Sequence, residues 1–255
     1  MTPHHNTTRL RCFVALALTM ILSVPPLAAQ RAASEARHGM VASAHSLATQ
    51  AGVEILAKGG NAVDAAVATG LALAVVLPSA GNLGGGGFML IHLAEPAATG
   101  GRQLVIDYRE TAPAAATRDM YLATDGTLRL GPGSSTVGWK AGGVPGTVAG
   151  FALALEKYGS GRLTWADVCE PARRLAVEGH TLTAGAVRSL RSAAKLLGQF
   201  EDSRRIYLND GAGWAAGDHW VQAELGATFT RLQQEGPREF YAGETAHRIA
   251  AGMAA

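Results

Sequence analysis

Apolar and polar positions along the chain switch between helical and strand periods, and these periods predict an order of elements rich in helix. Met40-Val41-Ala42-Ser43 reads as a short strand. Leu47, Ala51 and Ile55 recur every four residues, so 44–58 reads as a helix with one apolar face, closed by Gly59-Gly60. Asn61, with Asp64 three residues on, opens a second helix over 62–77 that is apolar nearly all round and stops before Pro78. Such a helix has to be buried, and its length and acidic start fit a core helix better than a membrane span.

Further on, Phe88–Leu93 and 103–108 have strand composition and flank a loop containing Pro and Gly, which predicts an antiparallel pair. The helix–helix–strand–strand order predicts helices layered on a sheet, an α/β arrangement. Glycine-dense loops follow at 131–135 and 142–146, after which Thr147 is expected to cap a helix over 148–157. Thr164-Trp165-Ala166-Asp167 is a capping-box pattern opening another helix, with a kink expected at Pro171 before Gly179. A helix is expected over Ala184–Leu197, a small hairpin within 206–221 around Asn209-Asp210-Gly211, and further helices over 224–234 and after Gly243. Residues 245–255 form a helical pattern with no C-terminal cap, so the chain reads as the first part of a longer polypeptide.

Composition narrows the class. With 255 residues, 48% hydrophobic and 16% charged, the chain has enough apolar material for one large domain or two small ones. The formal charge of +2 resides in Arg9 and Arg11, and the remainder balances 20 basic against 20 acidic groups, which leaves no electrostatic footprint for nucleic acid. Residues 1–29 carry that basic stretch, an apolar run from Phe13 to Val24, Pro25-Pro26, and small residues at Ala28-Ala29. This reads as a signal peptide directing export to the periplasm or beyond; the run is too short for a spanning anchor, the weaker alternative. Cys12 would leave with it, so Cys169 remains alone and no intrachain disulfide can form. Cys169 lies in a helical pattern with nothing nearby to activate it and reads as a buried, inert thiol.

Candidate chemistry centres on two neighbouring motifs. Gly84 to Gly87 follow Asn82-Leu83 and run into Phe88-Met89-Leu90-Ile91. Four residues without Cβ allow close backbone approach and φ > 0. A phosphate-binding P-loop is excluded because Gly87 is followed by Phe88 rather than Lys-Ser/Thr, and a dinucleotide fingerprint because these glycines open a strand instead of a helix. Read alone, the run is a tight-packing loop. Asp107-Tyr108-Arg109-Glu110 stands just past the second strand, where the Arg109 guanidinium can face a cleft and hold a carboxylate by two parallel hydrogen bonds, or pair on the surface with Asp107 or Glu110. The eight histidines show no metal-ligand spacing.

Four stretches resemble a known family: Gly59 to Ala68, Gly81 to Met89, Asp107-Tyr108-Arg109-Glu110-Thr111-Ala112-Pro113, and Gly143 to Phe151. Together they are similar to the N-terminal, large-subunit half of the gamma-glutamyltransferases, and the likeness continues through 164–179 and Gly236-Pro237-Arg238-Glu239-Phe240-Tyr241. The resemblance implies the large-subunit half of an N-terminal-nucleophile hydrolase α/β/β/α sandwich, occupying residues 30–255 and completed by a small subunit cut from the same precursor. It implies cleavage of the gamma-glutamyl bond of glutathione and transfer to water or to an amino-acid or dipeptide acceptor, without metal or organic cofactor. Arg109 then binds the substrate α-carboxylate. The nucleophilic threonine belongs to the small subunit, so no catalytic residue is assigned here; Thr228, Thr230 and Thr245 fall within expected helices. A cephalosporin- or glutaryl-type acylase and a catalytically inactive scaffold remain as alternatives.

Overall fold

The computed structural model of the chain describes residues 35–94 and 100–254; the signal-peptide reading of 1–29 lies outside the described residues. The chain divides into an N-terminal unit, Met1–His38, and a second, Gly39–Ala255, which holds every element below. The centre of that unit is the all-round apolar helix. It is α2 (Ala62–Val76), with 11 of its 15 residues buried, so it is covered on all sides, as its pattern requires. Helix α1 (Ser46–Ala57) precedes it, and Gly59, at a left-handed φ of 89°, turns the chain out of α1. A Cβ on Gly52 of α1 would overlap the Thr69 hydroxyl of α2, so glycine sets how closely these two helices cross. The expected strand at 40–43 does not form, because no strand pairs with it among the described residues; Val41 instead packs against α1 and the core.

Strands β1 (Phe88–Leu93) and β2 (Arg102–Asp107) form the expected antiparallel pair, with Phe88 opposite Asp107 and Ile91 opposite Leu104. Alternation divides the hairpin's faces. Ile91 and Ile106 are buried in the core with α2 and α3 (Thr147–Tyr158), while Phe88, Leu90 and Val105 are exposed on the opposite face. Helices therefore do layer on a sheet. Behind α2 lie α4 (Trp165–Glu178) and α7 (Ala223–Glu235). The capping box at Thr164 and Asp167 is present, and α4 continues as one helix through buried Pro171. Long-range polar bonds hold these helices in place. Trp165 Nε1 donates to the Leu232 carbonyl at 2.9 Å, Gln222 Nε2 to the Val75 carbonyl at 2.8 Å, and Arg174 to Glu54 at 2.6 Å.

Residues 206–221 depart from expectation. The Asn209-Asp210-Gly211 signal makes a 3-10 turn after α6 (Glu201–Tyr207), with Asp210 in the left-handed region at φ 54°. The strand β4 (His219–Trp220) pairs not with its neighbour but with β3 (His180–Thr181), which directly follows α4. The ladder is held by a second small core of Leu182, Val187 and Trp220, backed by Tyr207 and Trp214. Helix α5 (Ala184–Leu197) keeps its expected bounds, and α8 (Glu239–Ala242) and α9 (Glu244–Ala254) complete the order.

The N-cap of α2 joins distant segments. Asn61 Oδ1 accepts from the Val63 and Asp64 amides. Asp64, 1% exposed, accepts from the Asn61 amide at 2.7 Å and the Ser160 amide at 3.0 Å, tying α2 to the loop after α3. Asp64→Ala leaves two amides without acceptors and is expected to lower unfolding free energy by about 2–4 kcal/mol, measured by urea titration.

His180 makes the second cooperative contact. Its ring lies 5.7 Å from that of Trp220 and 6.4 Å from that of His45, and its Nδ1 is buried without a hydrogen-bond partner among the described residues. Burial first, then the neighbouring His45 and His219, depress its pKa to about 4. The unfolded chain protonates near the ordinary value of 6.5. The neutral ring's contribution is therefore fully present above that value and is lost as pH falls toward about 4. Urea titrations at about pH 7 and about pH 5 should differ by on the order of 2 kcal/mol in the parent chain, and by less in His180→Phe.

Candidate functional site

The two motifs singled out in the sequence meet a third, and the meeting point is the backbone of Tyr108. None of Gly84, Gly85, Gly86 and Gly87 adopts a left-handed φ; a Cβ on Gly84 would meet open space, whereas Gly85, Gly86 and Gly87 are closely approached. A Cβ on Gly86 would lie 2.5 Å from the Tyr108 carbonyl oxygen and 2.7 Å from the Glu110 nitrogen. On Gly87 it would press on the Tyr108 ring at 3.0 Å. From the other side, a Cβ on Gly146 would overlap the same carbonyl oxygen, one on Gly150 the Tyr108 ring, and one on Gly143 would come within 2.8 Å of Glu110 Cβ. The approaches to backbone at Gly86 and Gly146 leave no room for a Cβ, and the Gly87 contact would need the Tyr108 ring to shift.

Hydrogen bonds fix the arrangement. The Tyr108 amide donates to the Gly87 carbonyl at 3.0 Å, extending the β1–β2 ladder by a pair beyond the strands, and the Val144 amide donates to the Thr111 carbonyl at 2.8 Å. The Gly85 carbonyl accepts from the amides of Gly146 at 2.7 Å and Thr147 at 3.0 Å. Helix α3 is therefore capped by a backbone oxygen of the glycine loop, with no capping side chain. The expected cap, Thr147, is instead the first helical residue, and its hydroxyl donates to Asn82 Oδ1 at 2.6 Å. Asn82 Oδ1 also accepts from the Gly85 amide at 3.0 Å. The Tyr241 hydroxyl accepts from the Ala149 amide at 3.0 Å, bringing α8 onto the same helix end.

Tyr108 is half-buried, its ring edge-on to Phe151 at 5.6 Å, and burial raises its pKa. Asp107 and Arg109 on either side are exposed. The Arg109 amide donates to Asp107 Oδ1 at 3.0 Å, which folds the Asp107 carboxylate back onto the main chain. Among the described residues the Arg109 guanidinium has no ion pair with Asp107 or Glu110, the surface alternative, and the residue is exposed beside this glycine-packed junction. What the arrangement can do is hold a carboxylate or other planar anion by two parallel bonds.

The remaining candidates are occupied or inert. Thr228 and Thr230 hydroxyls donate back to helix carbonyls of Glu224 and Gly226, and Thr245 accepts from Arg231 at 2.9 Å. Cys169 is fully buried and its thiol is pushed well above the usual range by burial and the adjacent Glu170 carboxylate. Among the described residues, no cluster of His, Cys, Asp or Glu could hold a metal ion, and no helix is long and apolar enough to cross a membrane. A cavity of about 400 Å³ lies elsewhere, between α5 and the segments carrying His45 and Val76 to Ser79. Sequence reasoning missed Asn82 and Tyr108 as organisers, although both sit inside the motifs it singled out; a polar residue two positions before a glycine run was the available signal.

Residues 48–255 match the family model described as Gamma-glutamyltranspeptidase. A glutathione hydrolase proenzyme of Pseudomonas sp. (strain A14) is 43% identical over 98% of this chain and 42% of its own length. That of Escherichia coli (strain K12) is 47% identical over 86% of the chain and 36% of its own length, so this chain spans about two fifths of the curated relatives it matches. The crystal structure of Helicobacter pylori gamma-glutamyltranspeptidase superposes with a TM-score of 0.78 at 38% identity, covering 85% of this chain and 60% of that one. The helices and hairpin described above are thus the large-subunit portion of an N-terminal-nucleophile hydrolase α/β fold. On this match in sequence and in structure, the chain belongs to the gamma-glutamyltranspeptidase family.

Proposed function

We propose that this chain is the large-subunit part of an exported gamma-glutamyltransferase, acting on glutathione and other gamma-glutamyl compounds together with a small subunit from the same precursor. The observation that carries this reading is the exposed Arg109 guanidinium, unpaired among the described residues and held beside the junction of the glycine loop, the β2 end and the α3 N-terminus in a chain of this family. Arg109 holds the α-carboxylate of the gamma-glutamyl group. That fixes the donor by its amino-acid end and leaves the gamma-amide carbon to a nucleophile on the small subunit. By the family resemblance the nucleophile lies outside these residues, and in keeping with it Cys169 is buried and the hydroxyls of Thr228, Thr230 and Thr245 are engaged within the helical packing.

In this reading a threonine hydroxyl at the small subunit's N-terminus attacks the amide carbon and passes its proton to the α-amine of the same residue. The C–N bond breaks, the departing amine takes up that proton, and a gamma-glutamyl ester remains on the threonine. Water or an amino-acid or dipeptide amine then attacks the ester and regenerates the hydroxyl. The chemistry calls for no metal and no organic cofactor. Export is supported by the basic, apolar and small-residue pattern of residues 1–29.

Arg109→Lys keeps the charge and loses the fork. In the assembled two-subunit enzyme it is expected to raise KM for glutathione about tenfold while kcat and precursor self-cleavage change less than about twofold. Steady-state kinetics and gel analysis of processing check both, and an equal loss of processing would make the residue structural.

A further inference from the structure

The glycine loop touches Arg109 only through backbone, so something else has to fix the loop. The Thr147 hydroxyl, on a residue 3% exposed, donates to Asn82 Oδ1 at 2.6 Å, and that oxygen also accepts the Gly85 amide at 3.0 Å. Gly85 returns the link through its carbonyl, which accepts the Gly146 and Thr147 amides. A closed network of four hydrogen bonds therefore joins Asn82, two residues before the glycine run, to the start of α3. Gly86, next in the chain, lies against the main chain on both sides of Arg109, at the Tyr108 oxygen and the Glu110 nitrogen.

We propose that Asn82 and Thr147 are positioning residues for Arg109: their side-chain hydrogen bond locks the glycine loop against α3 and so sets where the guanidinium meets the substrate carboxylate. The inference rests on the carboxylate-binding reading of Arg109. Neither side chain needs to touch substrate. Of the four bonds in the network, two are backbone to backbone and survive any substitution at either position. The Thr147–Asn82 bond and the Asn82–Gly85 bond carry the side-chain dependence. Their loss frees the loop to shift by a fraction of an ångström, and a two-point carboxylate clamp is sensitive to displacements of that size.

The test uses the assembled two-subunit enzyme with glutathione as donor. Thr147→Val retains the branched shape and removes the donor. It is expected to raise KM about tenfold with kcat and melting temperature little changed, and Thr147→Ser, which restores the hydroxyl, is expected to return KM to within about twofold of the parent. Asn82→Gln keeps the amide but moves its oxygen by one methylene, and is expected to raise KM in the same sense, which serves if the valine variant does not fold. Because Thr147 acts through Arg109, the double variant Arg109→Lys/Thr147→Val should have a KM within about twofold of Arg109→Lys alone. If Arg109→Lys raises KM while Thr147→Val and Asn82→Gln leave it unchanged, the positioning role is wrong. Equal losses of KM, kcat and thermal stability in the Val and Ser variants would also overturn it, in favour of a purely structural bond. If Arg109→Lys itself leaves KM unchanged, the carboxylate-binding reading falls instead.

Discussion

The main-chain carbonyl of Tyr108 is approached from two sides by segments that no side chain could accompany. Gly86 lies on one side, and Gly146 on the other. This steric condition accounts for Gly86 and Gly146, and so links two glycine-bearing stretches about sixty residues apart that would otherwise read as unrelated loops. Beside it, the N-terminus of α3 is capped by the Gly85 carbonyl, which accepts two amides at once. The positions of β2's end and of α3 are thereby tied to each other, and Arg109, carried on β2's end, inherits its location from that tie.

Farther from the site, the same helix end is braced from the core side. Helix α2 supplies a surface on which β1, β2 and α3 all rest through Ile91, Ile106, Val148 and Phe151. A Cβ on Gly70 would lie 2.5 Å from the Phe151 ring, so the depth at which α3 seats on α2 is again set by a missing methyl group. Phe151 in turn faces the Tyr108 ring edge-on. Packing in the core and packing at the site thus share one aromatic pair. A cavity made at Phe151 would act on the Tyr108 backbone as well as on stability.

How much of this could be read from the sequence depended on the distance between partners. The α2 cap was legible because Asn61 and Asp64 satisfy one another within three residues, and the Thr164 and Asp167 box for the same reason. The β1–β2 pair was legible from composition and a short intervening loop. Thr147 was misassigned because its hydroxyl partner is Asn82, 65 residues earlier; a threonine before a helix looks like a cap until its partner is known. The segment 206–221 was misassigned because Asn209-Asp210-Gly211 is a sound local turn signal, yet the partner of His219 and Trp220 is His180 and Thr181, some 40 residues back. Glycine at 84–87 reads from the sequence as a tight-packing loop, but what it packs against, the Tyr108 and Glu110 backbone, lies too far along the chain to be read there. Position past β2 leaves Arg109 open between a cleft and a surface pair, the family resemblance makes it the carboxylate candidate, and the structure adds its exposure and the engagement of the neighbouring Asp107 carboxylate with the main chain.

The hairpin that ends at Arg109 has two unlike faces, and their difference bears on the chemistry. Its inner face is spent on the helices through Ile91 and Ile106, while its outer face presents Phe88, Leu90 and Val105 on the side where Asp107 is also exposed. An α/β sandwich places a second sheet over such a face, since exposed β-branched and aromatic residues in register are otherwise costly. A guanidinium just beyond the end of that face would then sit at the margin of an apolar contact, where water is partly excluded and a charge-assisted pair with a carboxylate is stronger than on open surface. The same covering that completes the fold would therefore sharpen the recognition of an anionic donor, which couples assembly of the sandwich to the binding strength of its arginine.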